Sequence, residues 1–395
     1  MNISASAVEC AVVAFGCNDD GQLGTGAKRR PTLAIDDVSS ANFPKQLGAL
    51  HGEEVVAVSC GSRHTMALTA SGAVYSWGWG SMGQLGHGDL KSTNVPHKIE
   101  FFEQEGLVVD YISCGGCHSA AARGLTVQYV DAFYGALGTL YMWGEAHWGQ
   151  LGLPKEFNAP HQSLPAKCPV LEEGGDEAIV KISCGGTHTA ALTNQGRVYV
   201  WGRGDSGQLG VGSEWLKDPE DEGLLGVSRP HLLEGFHGEK VVQVACGAFH
   251  SAAVTEQGHV YIWGKEDYGM LGLGPTSDQL IPMRIEYFDE VPALYVALCV
   301  GFVDFHLLIV RFYRMRSSDV DACRAEAGIL FHGRLGLTEM KSLAVPTCLD
   351  LGAIPVRQVS AGGAHSMALM HSSRPIFSPM ISPIPTSNPI PRSEL

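Results

Sequence analysis

The stretch CGSRHTMALTASGAVYSWGWGSMGQLG, Cys60–Gly86, decides the fold, because its two ends recur along the chain. Its closing block, Gly-Gln-Leu-Gly, stands at Gly21–Gly24, Gly83–Gly86, Gly149–Gly152 and Gly207–Gly210, with variants Gly269-Met270-Leu271-Gly272 and Gly333-Arg334-Leu335-Gly336. Successive first glycines are 62, 66, 58, 62 and 64 residues apart. Six positions before each stands an aromatic followed by glycine (Phe15, Trp77, Trp143, Trp201, Trp263), with Ala327-Gly328 in the last copy. The opening block, Cys-Gly-x-x-His followed by Ser or Thr, starts at Cys60, Cys114, Cys184 and Cys246, and returns as Ala361-Gly362-Gly363-Ala364-His365. A period of this length identifies a repeat architecture before any single element is assigned.

Within a repeat the pattern alternates at period two. Val55–Cys60, Thr65–Thr69 and Ala73–Trp77 are expected to be short strands, and Ser71-Gly72, Gln195-Gly196 and Gln257-Gly258 fall where tight hairpins need positive φ. No segment carries a sustained 3.6 period, which excludes an α-solenoid. Three or four short antiparallel strands per repeat, arranged radially, predict an all-β β-propeller of about six to seven blades. The chain opens with the second half of a repeat (Val12–Gly26) and closes with the first half of one (Val356–Met370), so strands from both ends are expected to share a blade. By the spacing of the proline upstream of each Cys block, Pro282 points to Cys299-Val300-Gly301, a fifth unit present in degraded form. Residues 1–370 are expected to form one propeller domain, with the degenerate unit at about 296–336 and a disordered Pro/Ser-rich tail over 371–395.

Composition narrows the function. The 395 residues carry 41 acidic and 27 basic side chains, a net charge of −14, and one short basic cluster, Lys28-Arg29-Arg30, so direct nucleic-acid binding is not expected. Eleven cysteines and no basic-apolar leader at Met1 predict a reduced protein inside the cell, in the cytoplasm or the nucleus. The one apolar run long enough to span a membrane, Val291–Val310, is broken by Pro292, Asp304 and His306. A central Asp costs about 2.5–3.5 kcal/mol on insertion, so the run is expected to be a buried strand pair and no membrane association is expected.

These blocks, in this order over roughly residues 8–370, resemble the regulator of chromosome condensation repeat family. The resemblance implies a propeller, usually seven-bladed, whose N-terminal strands complete the last blade. It also implies three kinds of activity: guanine-nucleotide exchange on the small GTPase Ran in the founding member, scaffolding in ubiquitin-ligase, trafficking or organelle assemblies, and ultraviolet-B reception in a plant member. The receptor's tryptophan cluster would fall on Ser62, Gly116, Gly186, Ala248 and Gly363, none of which is aromatic, so the chromophore is missing.

The repeated residues themselves are expected to be structural. One Trp per blade suits packing between blades, at about 150–250 Å² buried per ring, and Leu85 or Leu209 is expected to drop between blades. His64, His118, His188, His250 and His365 lie on successive blades, too far apart to share a tetrahedral metal; each is expected to hold a neighbouring loop carbonyl. Cys60, Cys114, Cys184 and Cys246 read as inert core thiols. Cys114-Gly115-Gly116-Cys117-His118 spells a haem-attachment motif, yet only Cys117 departs from the repeat there. Arg203-Gly204-Asp205 is an adhesion triplet in name only. No phosphate loop, Gly-x-Ser-x-Gly elbow or His-Glu-x-x-His helix occurs, so no catalytic residue, cofactor or metal is expected.

Function is expected where the repeat is broken. The His-to-Trp spacing of 13 residues becomes 25 between His118 and Trp143, through an insertion within Gly124–Gly138 that carries Tyr129, Asp131, Phe133 and Tyr134. The loop Ser213–Ser228 sets Trp215 among Glu214, Asp218, Glu220, Asp221 and Glu222, which suits a basic protein surface. A third departure, Phe302–Ala327 with Arg311, Arg314 and Arg316, reads equally as a partner site or as a misjoined reading frame. The expected function is a non-catalytic protein-interaction scaffold, with exchange on a Ran-like small GTPase as the alternative; the expected partner is a protein, and exchange needs only a shaped face and no nucleophile.

Overall fold

The structure is a computed structural model that describes residues 10–26, 40–123, 138–154, 159–170, 177–215, 225–266, 271–273, 276–286, 295–298, 307–310, 356–361 and 365–371. Alternating apolar residues and glycine turns give six antiparallel sheets among the described residues. The terminal blade is built from both ends of the chain: β1 (Cys10–Cys17) and β2 (Ser40–Gln46) form its outer half. Blade one is β3 (Val55–Cys60), β4 (His64–Thr69), β5 (Val74–Gly78) and β6 (Thr93–Lys98). Blade two is β7 (Tyr111–Cys114), β8 (His118–Arg123), β9 (Thr139–Glu145) and β10 (His161–Cys168). Blade three is β11 (Ile179–Cys184), β12 (His188–Thr193), β13 (Val198–Arg203) and β14 (Gly226–Leu233). Blade four is β15 (Val241–Cys246), β16 (His250–Thr255), β17 (Val260–Gly264) and β18 (Gln279–Arg284). A two-stranded sheet, β19 (Tyr295–Leu298) with β20 (Leu307–Val310), follows in the degraded repeat, and β21 (Val356–Ala361) and β22 (His365–His371) complete the terminal blade in the order β2-β1-β22-β21.

The expected sharing of a blade by the two ends is therefore observed, with Val13 opposite Ala368 and Phe15 opposite Ser366. The run proposed as a strand pair is one: Tyr295 pairs with Val310 and Leu298 with Leu307. Among the described residues no helix is long and apolar enough to cross a membrane.

Adjacent blades are joined by their repeated side chains. Trp77, Trp143, Trp201 and Trp263 are fully buried, each among apolar residues of its own and the preceding blade. At about 25 cal/mol per Å², a ring burying about 200 Å² contributes about 5 kcal/mol, so these rings dominate each interface. Leu85 and Leu209 are buried as expected. The closing glycine of the Gly-Gln-Leu-Gly block has a steric reason. Gly86 holds φ at +77°, and a Cβ there would lie 2.9 Å from the Trp143 indole nitrogen.

The histidines do something other than the sequence suggests. His64 Nε2 lies 2.9 Å from Ser119 Oγ, His118 Nε2 3.0 Å from Thr189 Oγ1, and His188 Nε2 2.8 Å from Ser251 Oγ, each reaching a hydroxyl of the next blade instead of a loop carbonyl. That hydroxyl spends its only proton on the backbone carbonyl of the preceding blade's glutamine: Ser119 on Gln84, Thr189 on Gln150, Ser251 on Gln208, at 2.8, 2.8 and 2.9 Å. It can then only accept from the imidazole, which assigns the neutral Nε2–H tautomer. The same carbonyl also receives the tryptophan indole, Trp143 and Trp201 at 2.9 Å and Trp263 at 3.0 Å. One carbonyl thus anchors two side chains of the next blade. Burial drives His64, His118 and His188 down to about 3 and His250 to about 4, so all four are neutral in the folded protein.

Candidate functional site

Each sheet has two ends, and the repeat assigns them different work. One end carries the Cys-Gly-x-x-His loop and the residues that follow Trp-Gly; the other carries the tight hairpins at Gly72, Gly196 and Gly258. At the first end the two variable positions of each Cys-Gly-x-x-His block come close to the residue after Trp-Gly, because the repeat His pairs with that glycine: His64 with Gly78, His118 with Gly144, His188 with Gly202, His250 with Gly264. The repeat's rigid bonds therefore hold its non-repeating side chains together on one rim.

Three cation–aromatic stacks sit there. The Arg63 guanidinium lies 4.5 Å from the Trp79 ring centroid, Arg203 4.4 Å from Trp148, and the Lys265 ammonium 5.7 Å from Phe249. Arg63 also donates two hydrogen bonds to Asp20 of the terminal blade, at 2.6 and 2.7 Å, and Arg203 donates two to Asp205, at 2.9 and 2.6 Å. The Arg203 guanidinium is thus bonded to Asp205 of its own triplet and stacked on Trp148 of blade two. Exposed pairs of this kind contribute about 0–1 kcal/mol each. With the tryptophan latches at about 5 kcal/mol, the rim is not needed to hold the blades together. Beside it, Asn18–Gly21 and Ser92–Asn94 line a small polar cleft between the terminal blade and blade one.

The two thiols of the Cys114–Cys117 stretch are not activated nucleophiles. Cys114 and Cys117 are unlinked, and burial pushes Cys114 well above the usual thiol range. Burial and the neighbouring Glu145 carboxylate push Cys117 up to about 12. Both are therefore protonated near neutral pH, opposite to what a redox Cys-x-x-Cys requires. Among the described residues no group of three His, Cys, Asp or Glu side chains could hold a metal ion.

The two loops singled out by sequence leave from opposite ends. The acidic loop follows β13 and precedes β14, where Arg203 pairs with Gly226 at the cation–aromatic end. Its first residues form a 3-10 turn, Ser213–Trp215, with Glu214 exposed. The insertion joins β8 to β9, where Arg123 pairs with Thr139 at the hairpin end. Tyr129, Asp131, Phe133, Tyr134, Asp218, Glu220, Asp221 and Glu222 lie outside the described residues, as do the stretch 311–327 and the tail. Sequence reading missed Arg63, Trp79, Trp148 and Lys265. Their only signal was that they occupy variable positions between fixed ones.

The fold and this rim define a repeat propeller whose recurring side chains join its blades and whose non-recurring side chains are displayed at one end. The chain belongs to the regulator of chromosome condensation (RCC1) repeat family: its family model matches residues 11–68, 71–122, 138–192, 195–254 and 257–302, passing over the insertion after blade two's second strand. The ultraviolet-B receptor UVR8 of Arabidopsis thaliana is 36% identical over 277 residues, 70% of this chain and 54% of that protein. The human E3 ubiquitin-protein ligase HERC2 is 32% identical over 283 residues, 72% of this chain but 5% of that protein. The chain thus spans about half of the first relative and a small part of the second. Among solved structures, human WBSCR16 superposes with a TM-score of 0.66 at 17% identity, covering 92% of this chain and all of that one. Prp20p of Saccharomyces cerevisiae, solved with a study of its binding to Gsp1p and histones, superposes with 0.57 at 19% identity, covering 93% and 92%. These two likenesses establish the propeller fold.

Proposed function

We propose that the protein is a non-catalytic interaction scaffold that binds a protein partner inside the cell through the Cys-Gly-x-x-His end of its propeller. The observation that carries this reading is the set of three cation–aromatic stacks, Arg63 on Trp79, Arg203 on Trp148 and Lys265 on Phe249, which stand on one rim at positions the repeat leaves free. Arg and Trp are the side chains that most often anchor protein interfaces, because they bury large rigid area and form directed bonds together. The loop that opens with the turn Ser213–Trp215 leaves from the same end, where Arg203 pairs with Gly226. Ultraviolet reception by the tryptophan route is not supported, since Ser62, Gly116, Gly186 and Ala248 hold the positions that route would need.

The second reading is guanine-nucleotide exchange on a Ran-like GTPase. What favours it is that Prp20p, which shares the fold, binds Gsp1p. Release of fluorescent nucleotide from a panel of purified small GTPases, Ran included, separates the two. The scaffold reading predicts release at the spontaneous rate. Acceleration by the full chain, lost in a variant lacking Leu125–Ala136, would replace it with exchange and locate the wedge at the hairpin end.

A further inference from the structure

Three successive interfaces carry the same set of polar latches, and the fourth does not. From blade one to two, two to three and three to four, the serine before each repeat Cys accepts the next blade's Cys backbone N–H: Ser59 from Cys114 at 2.9 Å, Ser113 from Cys184 at 3.0 Å, Ser183 from Cys246 at 2.9 Å. In blade four that position is Ala245, which has no oxygen to offer. The second latch is the imidazole–hydroxyl bond. In blades two to four the repeat Cys pairs with a hydroxyl residue, Cys114 with Ser119, Cys184 with Thr189 and Cys246 with Ser251. In the next unit the Cys place is Cys299, outside the described residues; the last described pair before it is Leu298 with Leu307. His250 is the one repeat histidine of blades one to four whose Nε2 and Nδ1 are both buried without a hydrogen-bond partner; His64, His118 and His188 each leave only Nδ1 bare. The third latch is the indole bond to the glutamine carbonyl. No tryptophan follows Trp263 to make it.

We propose that the contact between blade four and the β19–β20 sheet is a built-in seam, the place where the propeller opens locally while blades one to four stay joined. In a stack of repeats, stability is the sum of each blade's own stability and its two neighbour contacts, so a blade with one weakened contact opens at lower cost than its equivalents. Burying a polar group without its bond lowers that cost further, because opening lets water reach His250. The strands stay in contact, as β15 and β16 still lie against β19. Opening is therefore local and reversible, not a loss of the fold. This inference does not depend on which partner the protein binds.

Amide hydrogen exchange on the full chain, read by mass spectrometry, tests it without any variant. Peptides from the two inner strands of blade four, Val241–Thr255, are expected to exchange at least about tenfold faster than the equivalent peptides of blade three, Ile179–Thr193, after correction for intrinsic rates. Equal or slower exchange in blade four would overturn the proposal. A second measurement makes a seam where none exists: Ser183→Ala with Ser251→Ala removes the corresponding hydroxyls between blades three and four, and is expected to bring blade three's exchange up to the blade-four rate. If that variant folds and blade three's exchange is unmoved, the missing latches are not what sets the opening, and the proposal fails.

Discussion

Lowering the pH from 7 to 5 should strongly destabilise this protein, mainly through its repeat histidines. His64, His118 and His188 are held near 3 and His250 near 4, against 6.5 for an unperturbed imidazole, and in each case burial is the leading cause. The folded chain therefore refuses protons that the unfolded chain accepts below 6.5. Stability is fully present above that value and is lost as pH falls toward 3–4. Between pH 7 and pH 5 each histidine removes about 2 kcal/mol, so four remove about 8 kcal/mol, comparable to the whole stability of a typical domain of about 5–15 kcal/mol. Carboxylates add little in this window, because ordinary Asp and Glu titrate lower; Glu145, raised by burial, works in the opposite direction, favouring the fold as it protonates. The assay is urea unfolding followed by tryptophan fluorescence at pH 7.5, 6.5, 5.5 and 5.0, on the full chain and on His188→Gln. The full chain should lose stability steeply; His87, also held near 4 mainly by burial, adds to the four repeat histidines, so the variant should lose about one fifth less. Stability that is flat from pH 7 to pH 5, or a slope the variant leaves unchanged, would refute the neutral-imidazole latch.

Two substitutions test the latch from its other components. Thr189→Val, which keeps the shape and removes the hydroxyl, should cost about 1–3 kcal/mol in urea unfolding, because His118 Nε2–H is left buried and unpaired. Gly86→Ala should cost about 1–3 kcal/mol, since φ is +77° and the added carbon meets the Trp143 indole; a lowered urea midpoint at unchanged slope is the expected signature.

Much of this architecture can be read from residues that recur. Trp77, Trp143, Trp201 and Trp263 announce one core anchor per blade, and the half-repeats at the two ends announce the shared terminal blade, because burial and strand pairing follow side-chain type and order. What stayed hidden depends on pairs that lie far apart in the chain. The hydroxyl after each repeat His was visible as a Ser or Thr, but its partner is the imidazole 55 to 71 residues earlier. The anchoring acceptor is the backbone carbonyl of Gln84, Gln150 or Gln208, a group every residue has, so the side-chain identity does not reveal it. The rim was harder still. Trp79 and Trp148 appear once each, and only the register of β4 with β5 and of neighbouring loops brings them under Arg63 and Arg203. Nothing in the composition of the acidic loop or of the insertion tells which end of a blade each leaves from. Strand direction separates them, since β8 ends where β13 begins its path to the other end.

The most direct test of the interaction face is quantitative affinity capture from cell extract with the full chain, beside two variants shown to be folded by circular dichroism. One carries Arg63→Glu, Arg203→Glu and Lys265→Glu; the other lacks Leu125–Ala136 at the hairpin end. The account predicts a reproducible set of partners retained by the deletion and lost from the charge-reversed variant. Partners retained by the charge-reversed variant and lost from the deletion would contradict it and move the binding surface to the opposite end of the propeller.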